Sequence, residues 1–376
     1  MRFTRVRLTN WKNFRELDLV LARRVFIVGP NAAGKSNLLD AFRFLRDVAD
    51  PEGGFQKAVK DRGGVSQIRC LHARKKSQVE VEIEAMIDSD TWKYRLEFGQ
   101  ETRGHRRPLI QGERVAKNDQ VLLDRPDPED RADEGRLTQT FLEQVTTNKD
   151  FRVLADLLAQ LRYLHVIPQL VRDPRRSDAR RDPYGSDFLQ QLATTPKGTL
   201  ESRLRKINKA LQVAVPQLKE LKLERDELGV PHLKGLYEHW RPNAGWQSEE
   251  HFSDGTLRLL GLLWAFLDGD APLLLEEPEL SLHSAVVRFI PSMMARAGGK
   301  KNRQILISTH SPDLLSDEGI GPEELILLRP SQEGTEATLA AADAEIRTLL
   351  EAGETAAGVA AARTSPEKAP QLALFG

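Results

Sequence analysis

The sequence predicts an α/β fold: a parallel sheet flanked by helices, with polar and charged residues gathered where its strands end. Three stretches predict it. "RVFIVGPNAAGKSNLLDAF" (24–42) runs from an apolar strand through a glycine-containing turn into a helix. "PLLLEEPEL" (272–280) is an apolar strand that ends in two carboxylates, and "RQILISTHSPDLL" (303–315) is another that ends in a histidine. The C-terminal ends of such strands are where open α/β sheets place ligands and catalysis.

The elements follow in order. Residues 1–28 alternate ("RFTRVRLTNW", then "FRELDLVLARRVFIVG") and read as strands, the last one buried. The helix "SNLLDAFRFLRDVA" comes next, then a glycine-rich loop or short-helix region at 51–66. "SQVEVEIEAMID" and "TWKYRLEFG" alternate strictly and predict a hairpin. The charged stretch 100–140 predicts short strands and exposed loops. "FRVLADLLAQLRYLHVI" predicts a helix running into a strand, and "TLESRLRKINKALQVAVPQLKEL" a helix interrupted at Pro216. Strands near 232–240, a helix at 256–268, the strand "PLLLEEP", a helix at 283–297 and the strands "RQILISTH" and "ELILLRP" complete the order. "EATLAAADAEIRTLLEAG" (336–353) predicts a short helix. "ETAAGVAAARTSPEKAP" (354–370) is small, polar and proline-containing, which predicts a disordered C-terminal tail.

Composition narrows the class. The chain has 376 residues, 40% hydrophobic and 29% charged, as in soluble globular proteins. The 55 basic and 55 acidic residues cancel, which argues against a dedicated nucleic-acid module. One cysteine, Cys70, excludes an internal disulfide and most zinc sites. The richest apolar run, "LRLLGLLWAFL", is short of the roughly 18 residues a membrane helix needs and carries Arg258. The N-terminus lacks the apolar core of a signal peptide, so the expected location is cytoplasmic.

The motifs carry the chemistry. "GPNAAGKS" (29–36) matches a phosphate-binding P-loop in its strand–loop–helix setting. Gly29, Asn31, Gly34, Lys35, Ser36 and Asn37 are its candidate nucleotide contacts. Gly29 and Gly34 let backbone N–H groups converge on phosphate oxygens, Lys35 faces the β- and γ-phosphates of ATP, and Ser36 is a ligand for Mg²⁺. Glu276 is the candidate metal-side carboxylate, where P-loop ATPases usually carry Asp, and Glu277 the candidate general base for the attacking water. In "FSDGTLRLL" (252–260), Ser253 is placed to cap a helix and Gly255 to let the backbone approach a phosphate.

Taken together, these stretches resemble the ABC-type ATPases. Phe252, Ser253, Asp254, Gly255 and Thr256 align with their L-S-G-G-Q signature, with Asp in place of the first Gly and Thr in place of Gln. His310 matches the switch histidine that senses the γ-phosphate, and "ELSLH" (279–283) resembles the loop that crosses to the partner subunit. The resemblance implies an antiparallel β subdomain, a helical subdomain and a lid glutamine near Mg²⁺; Gln67 is the candidate, with Gln56 and Gln78 competing. "SDGTLRLL", "EEPELSLH", "STHSPDLL" and "LTNWKNFREL" resemble the RecF-like and OLD-like branch over about residues 1–330, with a variable insertion at about 100–240. That branch implies a homodimer formed head-to-tail on ATP, in which Ser253 and Gly255 of one copy close on ATP held by Lys35 of the other. No coiled-coil arm and no C-terminal nuclease domain are present in the sequence, so ATPase activity without intrinsic nuclease is expected.

Two further features bear on partners. Basic clusters at 103–107, 172–181 and 203–209 fit two readings, sequence-independent contact with DNA or a solvated surface balanced by nearby acids. After the linker 331–370, the ending "QLALF" resembles the peptide by which bacterial replication and repair proteins bind the β sliding clamp: Gln371 at the rim, and Leu372, Leu374 and Phe375 in the pocket. The expected role is DNA repair, recombination or replication-linked surveillance. The alternative is a regulatory ATPase of an antiphage or toxin system that controls a separate effector.

Overall fold

The computed structural model describes residues 1–73, 77–101, 106–172, 182–240, 245–301 and 303–364. β1 (Arg2–Trp11) and β2 (Phe14–Val20) form a hairpin, and β3 (Arg24–Val28) leads into α1 (Lys35–Ala49). The short helices α2 (Phe55–Lys60) and α3 (Val65–Ile68) follow. β4 (Val79–Ile87), β5 (Asp90–Gln100), β6 (Pro108–Lys117) and β7 (Gln120–Arg125) then complete a six-stranded antiparallel sheet, ordered β2-β1-β4-β5-β6-β7. Alternation does the sorting: β4 buries Val79, Val81, Ile83 and Ala85 and turns its glutamates outward.

Next come α4 (Pro128–Ala132), α5 (Arg152–Gln160) and the three-residue β8 (Arg162–Leu164). A helical layer is built from α6 (Pro168–Val171), α7 (Phe188–Thr194), α8 (Lys197–Ala214) and α9 (Asp254–Leu267). It packs on a small sheet of β9 (Leu218–Arg225), β10 (Pro231–Tyr237) and β11 (Trp246–Ser248). The rest is β12 (Leu273–Glu276), α10 (Ser284–Val287), α11 (Ile290–Lys301), β13 (Ile305–Thr309), β14 (Leu325–Ser331), β15 (Gly334–Leu339), α12 (Ala344–Glu351) and α13 (Ala356–Thr364).

The second six-stranded sheet is ordered β15-β14-β3-β13-β12-β8 and is parallel except for β15. Both faces are covered, which is why its strands are apolar without alternation. Leu274, Leu306 and Ile326 face the core shared with α1, α5 and the antiparallel sheet; Leu275, Ile307 and Leu327 face α9, α11 and α13. Gln304, fully buried, joins the two large sheets: its amide exchanges hydrogen bonds of 2.8 Å with the backbone of Phe3, and it donates to Ala22 O at 2.8 Å. The register sets Thr309 beside Val28 and Glu276 beside Ser308, so the P-loop, the paired acids and His310 leave one edge of the sheet together.

Three expectations are corrected. The start of 336–353 is strand, because 334–339 pairs with β14; the helix begins only at Ala344, capped by Asp343. The helix expected at 283–297 breaks between Val287 and Ile290, and Pro291, with no N–H to donate, opens the second piece. Within the stretch expected to be disordered, α13 is ordered: Ala356, Val359 and Ala360 are buried in the core beneath β14, small enough to let the helix approach. Residues 371–376 lie outside the described residues.

Candidate active site

The P-loop is shaped by its backbone and held from outside. Ala32 and Gly34 have φ of +64° and +93°, the left-handed geometry that turns neighbouring N–H groups toward one point. A Cβ on Gly34 would lie 2.0 Å from Asn13 Nδ2. Asn13 instead donates to Ala33 O (3.0 Å) and Thr335 Oγ1 (2.6 Å) and accepts from Asn37 Nδ2 (2.8 Å). The Asn37 side chain therefore braces the loop, while Asn31 is exposed at its tip. The N-terminus of α1 has no side-chain cap, which leaves its N–H groups available to an anion. Lys35 is 6% exposed; its Nζ donates to Gly29 O (3.0 Å) and Pro30 O (3.3 Å) and lies 3.9 Å from Glu277 Oε1. Burial lowers its pKa, and Glu277, Glu279 and Glu276 oppose that shift.

Glu276 is held at both oxygens. Ser36 Oγ donates to Oε1 and the Tyr163 hydroxyl donates to Oε2, while His165 Nδ1 stands 3.1 Å from the Glu276 carbonyl. Glu277 turns the other way. Its φ of +42° ends the strand, its N–H donates to Ser308 O (3.0 Å), and its Oε1 lies 3.1 Å from His310 Nδ1. Glu279 is buried: it accepts from Thr309 Oγ1 at 2.6 Å, and desolvation raises its pKa.

Magnesium fits this donor set. Among the described residues no cluster of three or more His, Cys, Asp or Glu could cage an ion. Mg²⁺ needs no such cage: it takes one or two protein oxygens and completes its shell with phosphate and water, and Ser36 and Glu276 already touch.

Ser253 caps α9, accepting from Thr256 N at 3.1 Å. A Cβ on Gly255 would meet Ser281 O at 2.6 Å, so the helix start packs hard against the loop after the paired acids. Asp254, the departure from the signature, is held by Arg172, whose Nη2 also donates to Phe252 O at 2.8 Å. The side chain of Ser253 is engaged locally, with Thr256 N and Thr256 Oγ1 at the start of α9.

Gln67 is exposed on α3, and its side chain makes no hydrogen bond to Ser36 or Glu276. Gln56 is committed to Pro108 O and Thr138 O. The groups at Glu276 are Tyr163 and His165 on and after β8; sequence reading missed them because only strand order shows β8 beside β12. Of the basic clusters, 203–209 is described in full: Arg203 pairs with Asp268, and Arg205, Lys206 and Lys209 are exposed on α8; of the other two, Arg107 pairs with Glu101 and Arg172 with Asp254. Residues 102–105, 173–181 and the peptide 371–376 lie outside the described residues.

Residues 24–316 match the family described as "AAA domain, putative AbiEii toxin, Type IV TA system". The chain belongs to this AAA-domain family. Its fold is also that of solved heads. The Smc head bound to the C-winged helix domain of ScpA is 15% identical, with a TM-score of 0.57, covering 90% of this chain and 97% of that one. The Smc head with an extended coiled coil, bound to the C-terminal domain of ScpA derived from Pyrococcus furiosus, is 14% identical, with a TM-score of 0.50, covering 90% and 96%. No curated protein matches the chain. The AAA-domain chain thus has an ABC-type P-loop ATPase fold, and no helix among its described residues is long and apolar enough to cross a membrane.

Proposed function

We propose that this chain hydrolyses ATP at the edge where β3, β12 and β13 end, and that two copies do so head-to-tail. The observation that carries the reading is the convergence of two adjacent carboxylates on one P-loop: Glu276 with Ser36, and Glu277 with Lys35 and His310. The α1 N-terminus, the P-loop N–H groups and Lys35 bind the triphosphate. Ser36 and Glu276 would hold Mg²⁺, which when bound would supply positive charge to offset that of the phosphates. Glu277 accepts a proton from the water that attacks the γ-phosphorus as the bond to the β-phosphate oxygen breaks and ADP leaves. His310, 3.1 Å away, orients that carboxylate and reaches the transferred phosphoryl group. Ser253, which caps α9, and Gly255, which packs on the loop after the paired acids, act on the ATP of the second copy. In Glu277→Gln, ATP binding should persist, hydrolysis should fall about 10²–10⁴-fold and the dimer should accumulate; normal hydrolysis overturns the base assignment.

The work done by this cycle is read as DNA repair, recombination or replication-linked surveillance in the cytoplasm, in the RecF-like and OLD-like manner and without an intrinsic nuclease. Gln371, Leu372, Leu374 and Phe375 would recruit it to the β sliding clamp, and Arg205, Lys206 and Lys209 would meet DNA. The proposed division is an ATPase head to about residue 330, a connecting segment to 370 and the peptide 371–376. The family description favours a second reading, a regulatory ATPase acting on a separate effector in a toxin or antiphage system. Clamp binding with and without residues 371–376 separates the two: equal binding by both forms removes the clamp.

A further inference from the structure

We infer that Tyr163 is a positioning residue for the metal-side carboxylate, and that it compensates for the presence of Glu rather than Asp at position 276. The inference rests on the ATPase reading above. Glu carries one more rotatable bond than Asp, so its carboxylate has more positions to lose before it can meet a metal beside Ser36. Two contacts on the carboxylate remove that freedom. The Tyr163 hydroxyl donates to Oε2, which leaves Oε1 as the oxygen on the Ser36 side. Hydrogen bonds to ionised acceptors are the stronger kind, so the carboxylate is pinned at the oxygen away from the P-loop. The main chain is fixed independently, because Leu273, Leu274 and Leu275 pair with Arg162, Tyr163 and Leu164, and His165 Nδ1 lies 3.1 Å from the Glu276 carbonyl.

Tyr163 is itself held in place. It is 9% exposed, it sits in a strand paired along its length, and the guanidinium of Arg43 lies over its ring with 5.3 Å to the centroid. Arg43 belongs to α1, the helix that Ser36 opens, so one rigid element carries both the hydroxyl on one oxygen of Glu276 and the cation over the tyrosine on the other. The side chain that fixes Glu276 thus comes from β8, the neighbouring strand of the same sheet.

The test is the Mg²⁺ requirement for binding a fluorescent ATP analogue, read by fluorescence on the full chain, with thermal unfolding as a check on folding. Tyr163→Phe keeps the ring under Arg43 and removes only the hydroxyl. The half-saturating Mg²⁺ should rise about tenfold, the effect of losing one charge-assisted hydrogen bond to the ligand, with binding in EDTA retained. Asp in place of Glu276 is one methylene too short to reach both Ser36 and Tyr163. In a Glu276→Asp background, Tyr163→Phe should therefore change the Mg²⁺ requirement less than twofold. An unchanged Mg²⁺ requirement in the single variant overturns the inference. So does an equal tenfold rise in both backgrounds, which would place the tyrosine's effect elsewhere. Failure of the ATPase reading looks different: the wild-type chain, like Lys35→Ala, would then bind no nucleotide with or without Mg²⁺.

Discussion

Alanine at Gly255 and alanine at Gly198 are the same change at the same helical position with opposite surroundings. Each glycine is the second residue of its helix, α9 and α8 respectively. A Cβ at Gly198 meets nothing within 4 Å, whereas at Gly255 it lies 2.6 Å from Ser281 O, a backbone atom that cannot rotate away. Ordinary contact begins near 3.4 Å, so α9 and the loop after the paired acids must separate by about 0.8 Å. The propensity gain of Ala over Gly, at most about 1 kcal/mol, is common to both. Overpacking at Gly255 costs about 1–3 kcal/mol. Gly198→Ala should therefore gain about 0.5–1 kcal/mol and Gly255→Ala lose about 1–2. At roughly 2 °C per kcal/mol for a chain of this size, the two Tm values should separate by about 3–6 °C in thermal unfolding followed by circular dichroism. A Gly255→Ala chain as stable as Gly198→Ala would refute the packing argument and leave only the phosphate-approach role for this glycine.

Two other perturbations probe the site and its support. Asn13→Ala removes the bonds to Ala33 O, Thr335 Oγ1 and Asn37 Nδ2; at about 1 kcal/mol each, shared between folding and loop order, it should weaken nucleotide binding about tenfold in a fluorescence titration, and unaltered affinity would show that the loop holds its shape without the brace. Glu143 accepts from Phe55 N (2.5 Å) and Thr140 N (3.0 Å), yet burial raises its pKa to about 7. A carboxyl whose folded pKa lies above its unfolded value favours the fold when protonated, so this contribution is present below the unfolded pKa near 4.5 and is lost as pH rises to about 7. The Tm of Glu143→Gln relative to wild type should therefore be higher at pH 8 than at pH 5; a difference independent of pH would show that Glu143 does not titrate in that range.

The sequence makes some of this site legible and hides the rest for identifiable reasons. The P-loop, the paired acids and His310 are local patterns: each is a strand end followed by a turn, and local chemistry announces it. Tyr163 and His165 are invisible by the same reading, because β8 has three residues and nothing in them states that the strand lies beside β12. Asp254 reads as a defect in a signature until Arg172 is seen to hold it. β15 and α13 fail in opposite directions. The stretch 336–353 reads as one helix, but pairing with β14 imposes strand on its first residues, Glu336 to Leu339. Small residues suggested disorder at 356–364, where they permit close packing. In both cases tertiary contacts override a weak local preference.

One backbone torsion explains how two adjacent glutamates serve different partners. Consecutive residues of a strand point to opposite faces, so an unbroken β12 would send Glu276 and Glu277 to opposite sides of the sheet. Glu276 is the last residue in register, opposite Ser308, and its side chain goes to Ser36 and Tyr163. At Glu277 the φ of +42° abandons the strand while its N–H still bonds Ser308 O, so the turn is made without losing the ladder. The side chain swings to the strand's end, between Lys35 and His310. A left-handed non-glycine residue costs of order 1–3 kcal/mol and persists only where its surroundings demand it. Here the demand is geometric. Without that torsion, one carboxylate would face the Ser36 hydroxyl and the other would face a helix, and no single water could be served by both sides of the P-loop.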